Sequence, residues 1–190
     1  MSRLIDGGAL TAAYVGIGMA ITIGLSFLLI IPIEPIYWAL SIPAGLLIGY
    51  YAGVRSGRRR GEWARIIANA VFASLATGLT LAALLLAVKA LFFFADDGYR
   101  DPGLGGRISC AGGADCVYQR YLEREGGALR DVGVTDATSF SAYYWAQQAL
   151  TAELLVAAPT AFGLIGGVLY GLTRPRGTPG AVAASPAASS

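Results

Sequence analysis

The sequence predicts an all-α fold: an integral membrane four-helix bundle with both termini on the cytoplasmic side. Three observations lead there. Of 190 residues, 55% are hydrophobic and only 14% charged, against roughly 25% charged in soluble domains. Four apolar runs reach the ~20 residues that a helix needs to cross a bilayer. The arginines, finally, gather on one side of those runs.

The runs cover about 9–33, 36–54, 64–95 and 142–172. The first begins after Arg3 and Asp6 and continues into a Pro-bounded turn, longer than the 7–15 apolar residues of a cleavable signal, so it is expected to be retained. Pro32 and Pro35 flank Glu34 and enforce a tight reversal, because proline lacks a backbone donor and restricts the residue before it. Pro43 and Pro159 fall inside the second and fourth helices and should bend them. Residues 1–176 read as one membrane domain. The Ala/Ser/Pro/Gly tail 177–190 has no apolar face and is expected to be disordered.

Orientation follows from charge. Arg3, Arg55, Arg58, Arg59, Arg60, Arg65, Arg174 and Arg176 share a side if the N-terminus is cytoplasmic. The loop 96–141 carries eight acids against five arginines and fits the outer side. Aromatic belts agree, with Trp38, Phe92–Phe94 and Trp145 on the outer side and Tyr50, Tyr51, Trp63 and Tyr170 on the inner. Arg55, Arg58, Arg59 and Arg60 read as a topology determinant that also suits anionic lipid headgroups. The scarcity of Lys beside so much Arg, Ala and Gly points to a GC-rich bacterial genome, and hence to the plasma (inner) membrane.

Small residues recur every four positions. Gly16 and Gly24 mark the first helix, Gly45, Gly49 and Gly53 the second, Gly78 the third, and Gly163, Gly167 and Gly171 the fourth. Spacing of four places each set on one face, where close backbone approach replaces the missing hydrophobic drive between helices in lipid. Gly45–Gly53 also resembles Gly163–Gly171 in pattern. Both stretches follow a proline and precede arginines. This suggests a parallel repeat of two hairpins about an axis along the membrane normal, or convergence on a Gly-rich composition.

In the loop, Cys110 and Cys116 are the only cysteines. On an oxidising side, with a Gly-rich spacer, they are expected to form a small structural disulfide. The segment from Val117 to Glu125 reads as a helix capped by Asp115 and ended by Gly126-Gly127. Val117, Tyr118, Tyr121 and Leu122 share a face that is expected to rest on the bundle or the membrane surface, or else to bind a partner. A 45-residue loop is too small for an independent core.

Ionisable residues inside a span are costly and point to function. Lys89 and Glu153 qualify. Counted from Phe94 and Trp145 they lie roughly 8 Å and 12 Å below the outer belt, so an intramembrane ion pair is expected, with Gln147 and Gln148 nearby and Asn69 towards the inner end.

With no His, the commonest general base and metal ligand is missing. No catalytic residue, metal site or cofactor is expected, and a net charge of +2 gives no reason for nucleic acid. The expected role is non-enzymatic: a structural, scaffolding or accessory membrane protein, with the lipid bilayer around it, its outer loop as contact surface, and a membrane-protein partner or a second copy as binding partner. The alternative is a small oligomeric transporter or channel using Lys89 and Glu153. No motif specific enough to claim a family is present.

Overall fold

A computed structural model of the chain describes residues 5–29, 34–57, 61–95 and 113–173, with side chains omitted at 27–29 and 34–39. Five helices follow one another: α1 Gly7–Leu29, α2 Glu34–Ser56, α3 Trp63–Phe94, α4 Ala114–Asp131 and α5 Ala137–Thr173. No strand occurs among the described residues. Three of the helices, α1, α3 and α5, are long and apolar enough to cross a membrane. α2 packs on all three of them.

The helices join through their small residues. Gly49 lies so close to Gly163 that an added Cβ would stand 2.6 Å from the Gly163 Cα and nearer still to its carbonyl oxygen. Gly45 abuts Pro159, and Gly53 lies under the Tyr170 ring. On the other side of the molecule Gly16 receives Thr77 and Gly24 receives Leu84. Gly78 lies against Leu155 and Val156, Gly163 against Ser74, Gly167 against Ala70 and Gly171 against Trp63. Each of these glycines therefore sits at a helix contact, whereas Gly18 faces open space. The buried hydroxyls at these contacts are satisfied within their own helix. Ser74 donates to the Ala70 carbonyl at 2.7 Å and Thr77 to that of Ala73 at 3.0 Å, the back-bonding geometry open to hydroxyls in helices.

α1 runs alongside α3, and α2 alongside α5, in the same direction. α2 and α3 also touch, whereas α1 and α5 do not among the described residues.

α5 begins at Ala137, five residues before the expected start. Asp136 explains this: its Oδ1 accepts the backbone N–H groups of Thr138 and Ser139, both at 2.8 Å, while Ser139 Oγ accepts those of Thr135 and Asp136. This reciprocal arrangement occupies donors that a helix start leaves open. The 37 residues of α5 span about 55 Å at 1.5 Å per residue. That exceeds the ~30 Å hydrocarbon thickness, so the helix projects well beyond a bilayer.

α4 also departs from expectation. Its N-cap is Gly113, at φ 77°, and Asp115 sits inside the first turn rather than capping it. The helical stretch from Ala114 breaks at Glu125, whose φ of −132° and ψ of 20° are not helical, directly before Gly126-Gly127, where the sequence predicts the stop. A second helical stretch continues past these glycines to Asp131 and carries Leu129, 3% exposed, into the core. It ends before Gly133, at φ 78°. The Gly133 N–H donates to the Arg130 carbonyl at 3.0 Å and that of Val134 to the Leu129 carbonyl at 2.9 Å, the paired bonds of a left-handed glycine terminator.

Candidate functional site

Glu153 lies on the outer surface of the helix pair α3/α5 and is exposed. It lines an open apolar groove of about 630 Å³ between these helices, with Leu75 and Ala82 on one wall and Ala152, Val156, Ala157, Thr160, Ala161 and Leu164 along the other. Thr160 is occupied by its own helix, donating to the Val156 carbonyl at 2.7 Å. Glu153 is thus the one charged group on a stripe of small and aliphatic side chains.

Lys89 is half-buried on α3 and stands at a different level. Phe93 meets Tyr144, Leu85 shares a cluster with Ala152, and Ser74 meets Gly163. This antiparallel register puts Lys89 level with Gln148 and Glu153 level with Leu84, about 7 Å apart along the axis. No ion pair joins Glu153 to Lys89 among the described residues, where the pair found is Arg65–Glu62 at 3.9 Å. Counting depth from each helix's own aromatic residues did not capture this stagger.

A cavity of about 10 Å³ lies among Ile23, Gly24, Ser41, Leu81, Leu84, Leu85, Val88 and Leu155, room for about one water. The Ser41 hydroxyl, 1% exposed, lines it without a partner.

At the end opposite α4 the structure reveals a polar clamp that sequence reasoning missed. Asp6 caps α1, its Oδ1 accepting the Ala9 N–H at 3.0 Å. The same oxygen accepts the Ser56 hydroxyl at 2.8 Å, and Oδ2 accepts the Asn69 amide at 3.0 Å. Asn69 Nδ2 also reaches Ser56 Oγ at 2.9 Å. Asn69 is wholly buried, and its Oδ1 has no partner. Three helices are tied together here. Gly8 makes the tie possible, since a Cβ there would stand 2.6 Å from the Arg55 carbonyl carbon. The signals were an Asp before an apolar run, a Ser at a helix end and a polar residue in a span, but nothing in the linear order links them.

At the α4 end, rings replace glycines. Phe93, Val117, Leu129, Val134, Phe140 and Tyr144 form one buried cluster with Tyr118 and Tyr121 packed on it. Tyr121 and Phe140 centroids are 5.1 Å apart, and those of Tyr118 and Phe140 5.4 Å. Leu122, expected on this face, is 38% exposed. Burial, with the nearby Glu125 carboxylate second, raises the Tyr121 phenol above its ordinary 10.0. The backbone N–H of Ser139 leads the contacts that hold the Asp136 carboxyl below its ordinary 3.8.

Cys116 is fully buried, and no free cysteine occurs among the described residues. Cys110, the Arg58–Arg60 run and the tail 177–190 lie outside the described residues. Arg55 is in the last turn of α2, where a cation complements the helix dipole. No group of three or more Cys, Asp or Glu that could hold a metal occurs among the described residues. No protein-family model, no curated protein and no solved structure matches the chain.

Proposed function

We propose that the chain is a multi-pass plasma-membrane protein, a four-helix membrane bundle with both termini cytoplasmic. Its role is non-enzymatic and accessory: it offers surfaces to other membrane components and moves nothing through its interior. One observation carries this reading. The helices meet backbone to backbone, as at Gly49 and Gly163, and leave a cavity of only about 10 Å³ between them. A solute path needs polar groups converging on a hydrated cavity. Here the two charged residues within the apolar spans do not converge: Glu153 is exposed on the outer face of α5, and Lys89 is half-buried at another level of α3.

The arginine distribution and the projection of α5 beyond the apolar belt support the orientation, with α4 outside the cell. The buried position of Cys116 supports a Cys110–Cys116 bridge that closes the start of the outer cap.

Reconstitution into liposomes tests the main reading. Proton and monovalent-cation flux should match that of empty vesicles. Flux above that level, lost on Glu153→Gln, would instead establish the alternative, a transporter whose path runs along the α3/α5 groove between copies. That alternative rests on the exposed position of Glu153 within the apolar stripe of α3 and α5.

A further inference from the structure

We propose that the α3/α5 groove receives a single transmembrane helix of another protein, and that this helix carries a lysine or arginine at the depth of Glu153. The inference deepens the accessory reading and rests on it. It names the chemistry of the partner.

Glu153 lies two turns below Trp145, about 12 Å along α5, and Trp145 stacks with Phe94 and packs at a tilt on Phe93 at the aromatic belt. The carboxylate is therefore within hydrocarbon when the belt sits at the interface. A charge there is costly, and a glutamate side chain is too short to reach the interface as Lys and Arg do. Among the described residues nothing donates a hydrogen bond or an ion pair to it. Lipid tails offer no donor either, and headgroups end at the level of the belt.

The groove has the shape for a helix. Ala152, Ala157 and Ala161 keep the α5 wall low, and Ala82 does the same on α3, so a neighbouring backbone can approach closely. From Ala152 to Leu164 it runs about 18 Å, some three turns. Any chain reaching this depth must be helical, because lipid satisfies no backbone groups. A second copy related by a two-fold axis through the groove would set Glu153 against Glu153, and like carboxylates oppose one another. A cationic side chain from a different helix meets the charge.

The test uses the full-length protein, donor-labelled, in phosphatidylcholine vesicles with an acceptor-labelled Leu/Ala helix carrying one arginine about 12 Å below its outer end. The control helix carries leucine there. The arginine helix should associate about 3- to 30-fold more tightly, the range of interhelical hydrogen bonds in membranes. Glu153→Gln should erase that preference. Ala157→Leu, on the exposed face and so compatible with folding, should weaken both helices by filling the groove. Equal association of the two helices overturns the proposal, as does a preference that survives Glu153→Gln. So does energy transfer between labelled copies of the protein that Ala157→Leu abolishes, which would make the groove a self-interface. Each of these results leaves the flux assay untouched, so failure here is distinct from failure of the accessory reading.

Discussion

The molecule holds its helices together in two different ways at its two ends. Where α2 crosses α5, contact is between main chains, with Gly45, Gly49 and Gly163 removing every side chain that would separate them. Where α4 meets α5, contact is between rings, with Phe140 only 1% exposed among tyrosines. The difference matches the solvents that the proposed orientation gives the two regions. Between helices in lipid, burying an apolar surface gains little, and close van der Waals approach must supply the attraction. In water, removing large apolar surface is itself favourable, and aromatic residues bury the most area per side chain. The change from glycine to ring occurs within one helix, α5, between Trp145 and Pro159.

Substitutions at the two contacts should therefore fail differently. Gly49→Val carries the largest expected effect. Its branched side chain would meet the Gly163 backbone, which cannot rotate away, so the loss should exceed the ~1–3 kcal/mol of ordinary overpacking. The variant should show little or no folded protein on detergent size-exclusion chromatography. Gly18→Ala is the matched control: with open space around it, it should gain up to about 1 kcal/mol from helix propensity.

Phe140→Ala comes next, at about 3–5 kcal/mol for truncating a buried ring, but confined to the cap. Protease cleavage within α4 should accelerate while the thermal transition of the membrane helices stays in place. If both move together, the two regions are one cooperative unit and the contrast between them fails.

Asp6→Ala and Asn69→Ala should each cost about 1–3 kcal/mol by leaving buried polar groups unsatisfied. Measured as a double-mutant cycle on Tm in detergent, the double variant should lose less than the sum of the singles, because both report on the same hydrogen bonds. Additive losses would show that the clamp is not a unit.

The smallest effects are those of pH, and they fall on the cap alone. The Asp136 carboxyl has its folded value below 3.8, so its capping contribution is complete above the ordinary range and is lost as pH falls through the folded value. Amide exchange at Thr138 and Ser139 should rise there. Tyr121 has the opposite sign. With its folded value above 10.0, the unfolded phenol ionises first, so the cap should loosen as pH climbs past 10.0. The Gly45–Pro159 and Gly49–Gly163 contacts are made by residues without ionisable side chains and should not respond.

The helix boundaries were largely legible because apolar runs, prolines and glycine terminators act locally. The expected starts of α1, α2 and α3 fall within two residues of those observed. The apolar run alone predicts a late start for α5; the polar cap of Asp136 and Ser139 extends the helix upstream of that run. Glycine spacing marked the contact faces, but not which helix each would meet. The stagger between Lys89 and Glu153 and the joining of Asp6, Ser56 and Asn69 are properties of register between helices. Register is set by how far one backbone slides along another before its glycines find a neighbour, and no local pattern encodes that distance.

α5 is one continuous helix from Ala137 to Thr173, with Pro159 in its lower half. Its upper end is gripped by α4 through Phe140, and its lower half is wedged against α2. Phe140 and Glu153 lie on it about 20 Å apart. A rod held at both regions passes a tilt of one on to the other. A ligand that pulled on the cap would swing the groove wall, and a helix seated beside Glu153 would push back on the cap. The outer surface and the membrane surface are the two arms of a single lever.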